Sequence, residues 1–567
     1  MSSFVHFTFW LKEKLMRSSI RFLAVMLMLL PCSATAQVSP PAFVNYEIAP
    51  IHAMAMSPDG NYLAAVNTAD MRVEIYTLNS SGPLPFASIA VGLEPTSVRF
   101  RTNTELWVVN NLSDSVSIIN VPNCAVTNTL RTADDPYDVV FAGSPQRAYV
   151  SCGFARSMQV FNPANLAAAP IVVPLQGNNP RAMAVSPDGS NVYVAFFHSG
   201  NRTTILSGGM SAPGSTIITY PPDAVRVTSG PHGGAFQPGN VSPGVYNPPR
   251  NTAAGTPPNV SMIVRQDSSG VWRDDTGANW SPLVDGANAS QSGRYPGWKL
   301  LDRDVAVVNA NSLAVSYISD MMNICMAVDV NPASGQVTVV GTEAHNDIRF
   351  EPVLNATFID VMAAFGNAGT PQATSRTDIN ASLVAQFTGT PLSPALRATA
   401  LGDPRSIKWT SDGSVAYVAG MGSNNIVKID SSGQRVGSVI PVQPGPVGLA
   451  LDEARGKLYV QNRFHGSISV VDLGTSTETS LVSYFDPTPT VIRTGRKHLY
   501  DTQHSSAIGQ ISCGSCHVDG RMDRLSWDLG NPAGNLDVLG ARYPMNRNDS
   551  FTIPVGGVLG NQRIGTG

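Results

Sequence analysis

Ala53-Met-Ala-Met-Ser-Pro-Asp-Gly60 and Ala182-Met-Ala-Val-Ser-Pro-Asp-Gly189 are almost the same octapeptide, and Ser411-Asp-Gly413 repeats its turn. Each turn leads into a β-rich strand: Tyr62-Leu-Ala-Ala-Val66, Val192-Tyr-Val-Ala195 and Ala416-Tyr-Val-Ala419. The same strand recurs without Pro-Asp-Gly at Leu106-Trp-Val-Val109, Ala148-Tyr-Val-Ser151 and Leu458-Tyr-Val-Gln461. A further strand follows, as in Val116-Ser-Ile-Ile119, Met158-Gln-Val-Phe161, Ile426-Val-Lys-Ile429 and Ile468-Ser-Val-Val471. Pro95, Pro136 and Pro180, and later Pro404 and Pro446, open successive units at intervals of roughly 40–45 residues. Short alternating strands, four to a unit at that period, describe the blades of a β-propeller.

The expected fold is therefore all-β, with seven or eight blades spread over residues 37–484. A stretch rich in Gly, Pro, Ser and Asn at about 207–300 interrupts the array, far longer than an ordinary connection. Inside it, Ser261–Arg265 and Val271–Arg273 flank Asp267-Ser-Ser-Gly270 and read as a hairpin. Asp274–Asn279 lacks the spacing and final glutamate of a calcium loop and reads as a turn. Between Val353 and Leu401 the strand pattern is hard to follow.

Composition agrees with this. Of 567 residues, 50 are Gly and 42 Pro, and only 14% are charged against roughly 25% in an average domain. The 43% that are hydrophobic can bury a sizeable core, which excludes a disordered chain. A net charge of −3 leaves no basic excess to hold a phosphate backbone, so nucleic acid is not an expected partner. At the N-terminus Lys12, Lys14, Arg17 and Arg21 precede the apolar run Phe22–Leu30 and the small-x-small site Ala34-Thr-Ala36. Residues 1–36 read as a secretory signal peptide, and Pro31 before Cys32 argues against lipidation. That run is too short to span a bilayer and no later run is long enough. The expected compartment is the bacterial periplasm.

After the last repeat the texture changes. Ser512-Cys-Gly-Ser-Cys-His517 contains Cys513-x-x-Cys516-His517, the attachment signature of c-type haem. Two thiols three positions apart, in about one helical turn, reach the two vinyl groups of one porphyrin, and the adjoining histidine faces the iron. A zinc site would want a second Cys/His pair, and Cys124, Cys152 and Cys325 stand singly. A redox dithiol would want a thioredoxin-like setting, and a disulfide would not need the histidine. Cys124 and Cys152, in neighbouring blades, are candidates to pair with each other.

Two resemblances follow from these residues. The repeat, from about Ile48 to Ser483, resembles the YVTN family of β-propellers and is related in shape to the haem d1 propeller of cytochrome-type nitrite reductases. Residues Gly495 to Gly534, with Asp519-Gly-Arg521, Asp523 and Trp527 after the Cys-His pair, are similar to the bacterial di-haem cytochrome c peroxidase and MauG-like family. That likeness implies covalent haem on Cys513 and Cys516, His517 as proximal ligand, and Trp527 packed at the haem edge. It departs from the family in having one attachment motif and no histidine after His517. Met522, Met545, Tyr543, His498 and His504 are the remaining distal candidates; Met545 is the preferred one, since Met522 is too near His517. His465, on a blade loop, reads as a polar loop residue. The segment 485–567 is short for a complete cytochrome c domain, so we expect it to be truncated, with a second haem lost.

The functional expectation is an exported protein with one haem c that transfers electrons to a redox partner protein. Peroxidase-like or MauG-like oxidation of an unidentified small molecule is the more ambitious version. The alternative is a non-enzymatic binding propeller with a vestigial haem segment. A reducible haem separates them.

Overall fold

The computed structural model describes residues 46–206 (except 49), 262–287 (except 275 and 276), 289, 301–347 and 359–527 (except 389), with short strands at 535–538, 551–555 and 563–564. The expected signal peptide and Met545 lie outside the described residues. Seven four-stranded antiparallel sheets follow one another along the chain. They begin with inner strands Met54–Met56, Pro95–Phe100, Pro136–Ala142, Asn178–Val185, Ile324–Val330, Pro404–Trp409 and Pro446–Asp452. These sheets are blades 1 to 7 of a β-propeller. The sequence left the count at seven or eight; seven blades are described.

The ring closes between blades 7 and 1. A Cβ on Gly448 would stand 2.8 Å from that of Ala53, so only glycine allows the two inner strands to approach this closely. Gln461 Nε2 donates to the Val66 carbonyl at 2.6 Å across the seam. Met54, Leu63 and Ala65 of blade 1 pack there with Tyr459, Ile468 and Val470 of blade 7. Each blade is covered on both faces by its neighbours, which is why middle strands such as Tyr62–Asn67 and Arg147–Cys152 are buried almost throughout. Rim strands such as Ala125–Arg131 and Thr477–Ser483 are mostly exposed and carry Thr, Ser and Asn.

The repeated turn has one chemistry. Gly60, Gly189 and Gly413 take φ of +69°, +70° and +70°, a region open to glycine at no steric cost. The aspartate before each accepts from a hydroxyl two residues back: Ser57 to Asp59 at 2.6 Å, Ser186 to Asp188 at 2.5 Å, Thr410 to Asp412 at 2.6 Å. Pro-Asp-Gly is therefore a self-contained instruction, legible wherever it occurs.

The opening prolines carry a second device. The residue before each is left-handed: Glu94, Asp135, Asn179 and Asp403 at φ +51° to +58°, and Gly445 at +76°. A bulge follows, leaving Thr96, Tyr137, Arg405 and Val447 as extra residues against the next strand, and Arg181 within a longer irregularity. Blade 5 has no opening proline but bulges likewise at Met326.

The long insertion falls inside blade 4. Asn191–His198 pairs with Val305–Asn309, from Asn191 opposite Asn309 to Ala195 opposite Val305, so it separates the second and third strands of one blade. Its described part includes the expected hairpin, Met262–Gln266 with Trp272–Arg273, joined by Thr203–Leu206. Arg265 ties this sheet to blade 5 through Glu343 at 3.0 Å and Asp347 at 3.1 Å. At the expected turn, Gly277 N–H donates to Asp274 O at 2.9 Å; residues 275 and 276 lie outside the described residues. Cys124 and Cys152 are not joined by a disulfide, which decides a pairing the sequence left open. Among the described residues no helix is long and apolar enough to cross a membrane.

Candidate functional site

Beyond Ser483 the chain turns helical: α1 (Thr490–Tyr500), the single turn α2 (Thr502–Ser505) and the single turn α3 (Cys513–Cys516). Tyr500 and Leu499, from the end of α1, pack with Val447 at the start of the inner strand of blade 7 and with Met421 of blade 6. Tyr500 Oη donates to Glu47 at 2.8 Å, and Arg496 Nε meets the same carboxylate at 3.3 Å. Gly514 lies against this helix, since a Cβ there would come within 2.6 Å of the Tyr500 ring. That close approach explains the glycine between the two cysteines.

Ser512 and Ser515 form a capping box that starts α3. His517 N–H closes the turn on the Cys513 carbonyl at 2.9 Å. The chain then folds back: Gly520 N–H donates to His517 O at 3.1 Å and Arg521 N–H to Val518 O at 2.9 Å. His517 Nδ1 lies 3.2 Å from the Arg521 carbonyl oxygen. A carbonyl only accepts, so Nδ1 carries a proton, which in the neutral ring leaves the lone pair on Nε2. His517 and Cys513 are exposed and Cys516 half-buried, with the two thiols not joined.

The turn between His517 and Arg521 is anchored in the end of the propeller. Asp519, left-handed at φ +54°, buries its carboxylate between two guanidiniums. Arg181 Nη1 reaches one oxygen at 2.6 Å and Arg405 Nη1 the other at 2.8 Å. Burial alone would raise this acid; Arg405 and Arg181 hold it down at about 2. Arg405 also holds Asp403 at 2.6 Å, and Arg181 stacks over Phe197 at 3.6 Å and Tyr137 at 4.4 Å. Val518 packs on Phe197, Ile324 and Met326. Arg181, Arg405, Tyr137 and Met326 are all residues that the inner-strand bulges displace.

Downstream, Asp523 N–H donates to the Cys516 carbonyl at 2.9 Å. The Asp523 carboxyl is buried, accepting from Leu525 N–H at 3.0 Å and Trp527 Nε1–H at 2.7 Å. Leu525, Trp527 and Cys516 share an apolar cluster with Ala344, Ile359 and Ile511, so blade 5 forms the floor under Cys516. Burial, with Asp523 nearby, pushes the Cys516 thiol up, keeping it protonated in the bare protein.

Burial pushes Asp523 up to about 7, above an ordinary 3.8. The folded state thus binds the extra proton: stability from this group is fullest below about pH 4 and is lost as pH rises through about 7. Asp523→Asn, with no proton to lose, should flatten that decline in urea midpoints taken between about pH 4 and 8. An unchanged slope would assign the pH dependence to another group.

His498 and His504 are exposed on α1 and α2. Met522 is half-buried, and burial holds the pKa of the nearby His198 well below the usual imidazole range. His465 bonds Ser467 at 2.9 Å and lines a cleft of about 240 Å³ beside α1, with Phe464 and Tyr500. Arg181, Arg405 and His198 went unrecognised in the sequence. The available signal was position, because Arg181 and Arg405 each follow an opening proline directly.

No family model and no curated protein matches the chain. Among solved structures, Kuenenia stuttgartiensis hydrazine synthase aligns at 13% identity and TM-score 0.47, over 77% of this chain and 98% of that one. A functionally unknown protein from Desulfotomaculum acetoxidans DSM 771 aligns at 11% and 0.41, covering 75% and 96%. Dihydro-heme d1 dehydrogenase NirN, in complex with DHE, aligns at 9% and 0.39, covering 78% and 68%. Likeness this slight carries nothing about chemistry; the propeller stands on its own seven sheets.

Proposed function

We propose that the chain is an exported c-type haem protein whose activity is electron transfer, with the propeller as the platform that holds the haem segment. One observation carries the reading: His517 donates a hydrogen bond from Nδ1 to the Arg521 carbonyl within a turn that begins at two unjoined thiols. Cys513 and Cys516 would form the two thioether bonds, and His517 Nε2 would be the proximal ligand. The carbonyl bond fixes the ring's tautomer and direction and raises its basicity, as outer-shell partners of ligating histidines do. A bound haem would supply the one-electron couple; the chain supplies the attachment, the axial nitrogen and, through Ile511, Leu525 and Trp527, apolar cover on the Cys516 side.

A redox partner protein belongs to this reading, since an electron carrier needs a donor and an acceptor. Peroxidase-like chemistry would ask for an open iron position as well, and no residue described here is assigned to it.

His517→Ala tests the assignment. The variant should keep its covalently bound haem through Cys513 and Cys516 but lose the proximal nitrogen. Its ferric and ferrous spectra and its midpoint potential should therefore differ plainly from those of the wild type. Unchanged spectra would remove His517 from the iron. A wild-type protein that is not reducible at all would favour the non-enzymatic binding propeller.

A further inference from the structure

We infer that Asp519 is a positioning residue for His517, and that Arg181 and Arg405 of the propeller act on the iron ligand through it. This rests on the haem reading above. The turn His517–Arg521 contains both ends of the bond that aims the imidazole, the Nδ1 of His517 and the carbonyl of Arg521. Asp519 sits midway between them, with its backbone left-handed, a conformation uncommon outside glycine and retained where surroundings over-determine it. The surroundings here are two guanidiniums from different blades, each 2% exposed, on opposite oxygens of one carboxylate.

The guanidiniums are themselves held. Arg181 is stacked on Phe197 and Tyr137, and Arg405 is bonded to Asp403. Beyond Arg521, Asp523 N–H bonds the Cys516 carbonyl at 2.9 Å, so the chain is held on the far side of the turn as well. The Arg521 carbonyl therefore has a position set by the propeller, and His517 inherits it. A c-type segment without a propeller beneath it would have to fix this turn by other means. Two arginines against Asp403 and Asp519 also leave the cluster neutral, so its geometry and its charge can be varied separately.

The test uses the full-length, haem-loaded protein and three variants. Asp519→Asn removes the charge and one strong acceptor. Arg181→Lys keeps every charge but loses the planar fork and its stacking. Gln510→Ala breaks a bond of the same segment to blade 5, Gln510 Nε2 to the Ile359 carbonyl at 2.8 Å, outside the turn. Asp519→Asn and Arg181→Lys should keep one haem per chain while moving the midpoint potential to more positive values, because a less basic histidine favours ferric iron less. Amide exchange at Gly520 and Arg521 should rise above the wild-type rate, because the turn that protects them loses its anchor. Gln510→Ala should leave both readings at the wild-type value.

If Asp519→Asn does not fold, Arg181→Lys carries the test alone. A loaded Arg181→Lys protein with unchanged potential and exchange overturns the inference, as does an equal shift in Gln510→Ala, which would make the clamp merely structural. A wild-type chain that takes up no haem defeats the haem reading and this inference with it. Haem present with an unmoved potential defeats this inference only.

Discussion

Replacing Arg405 by alanine is expected to cost about 3–5 kcal/mol of stability near neutral pH, the scale of breaking a buried ion pair. The guanidinium stands between Asp403 at 2.6 Å and Asp519 at 2.8 Å, and all three side chains are almost wholly buried. Asp519 would keep Arg181, but among the described residues no other cation lies within ion-pair distance of Asp403. Even beside Arg405, burial raises the Asp403 pKa above its ordinary 3.8. Without Arg405 it must rise further, so the variant's penalty grows as pH climbs above about 4 and shrinks below it.

The wild type moves the other way in acid. The Asp519 pKa, held at about 2, is below its unfolded value of 3.8, so its stabilisation is complete above about pH 4 and lost as pH falls through 2. The two stability curves should therefore converge on acidification. Urea denaturation of both proteins at about pH 4 and pH 8 makes the comparison. A deficit under about 1 kcal/mol, or one independent of pH, would show that the cluster does not behave as a buried electrostatic unit.

The blades were legible because their instructions are local. Pro-Asp-Gly closes its own turn through an aspartate and a hydroxyl two residues apart, and a Tyr-Val strand next to it needs no distant information. The Cys-x-x-Cys-His motif is legible for the same reason: the groups it brings together are neighbours in the chain. The anchoring of that motif is not local. Arg181 and Asp519 are 338 residues apart, Arg405 and Asp519 are 114 apart, and an arginine after a proline has no mark of its partner.

Blade 4 was hidden in another way. Its second and third strands, Asn191–His198 and Val305–Asn309, pair across the whole insertion, so a period counted along the chain breaks there while the sheet does not. Whether Cys124 and Cys152 pair was left open, because neighbouring blades alone do not fix a connectivity. The structure sets Cys124 at a rim turn between the third and fourth strands of blade 2 and Cys152 at the buried end of the second strand of blade 3, and no disulfide joins them.

The central claim is covalent haem at Cys513 and Cys516, and its loss in the thiol-free variant is the largest effect expected for any substitution. The chain should be made in an oxidising bacterial compartment that contains haem-attachment machinery, beside Cys513→Ser/Cys516→Ser. Thioether bonds survive denaturation, so after acid–acetone extraction the intact wild-type chain should retain the added mass of one haem and its ferrous absorption bands. The double variant should show the polypeptide mass alone, with the propeller still folded by circular dichroism. A wild-type chain that emerges without haem, or that gives its haem up to the acid–acetone, would contradict the account.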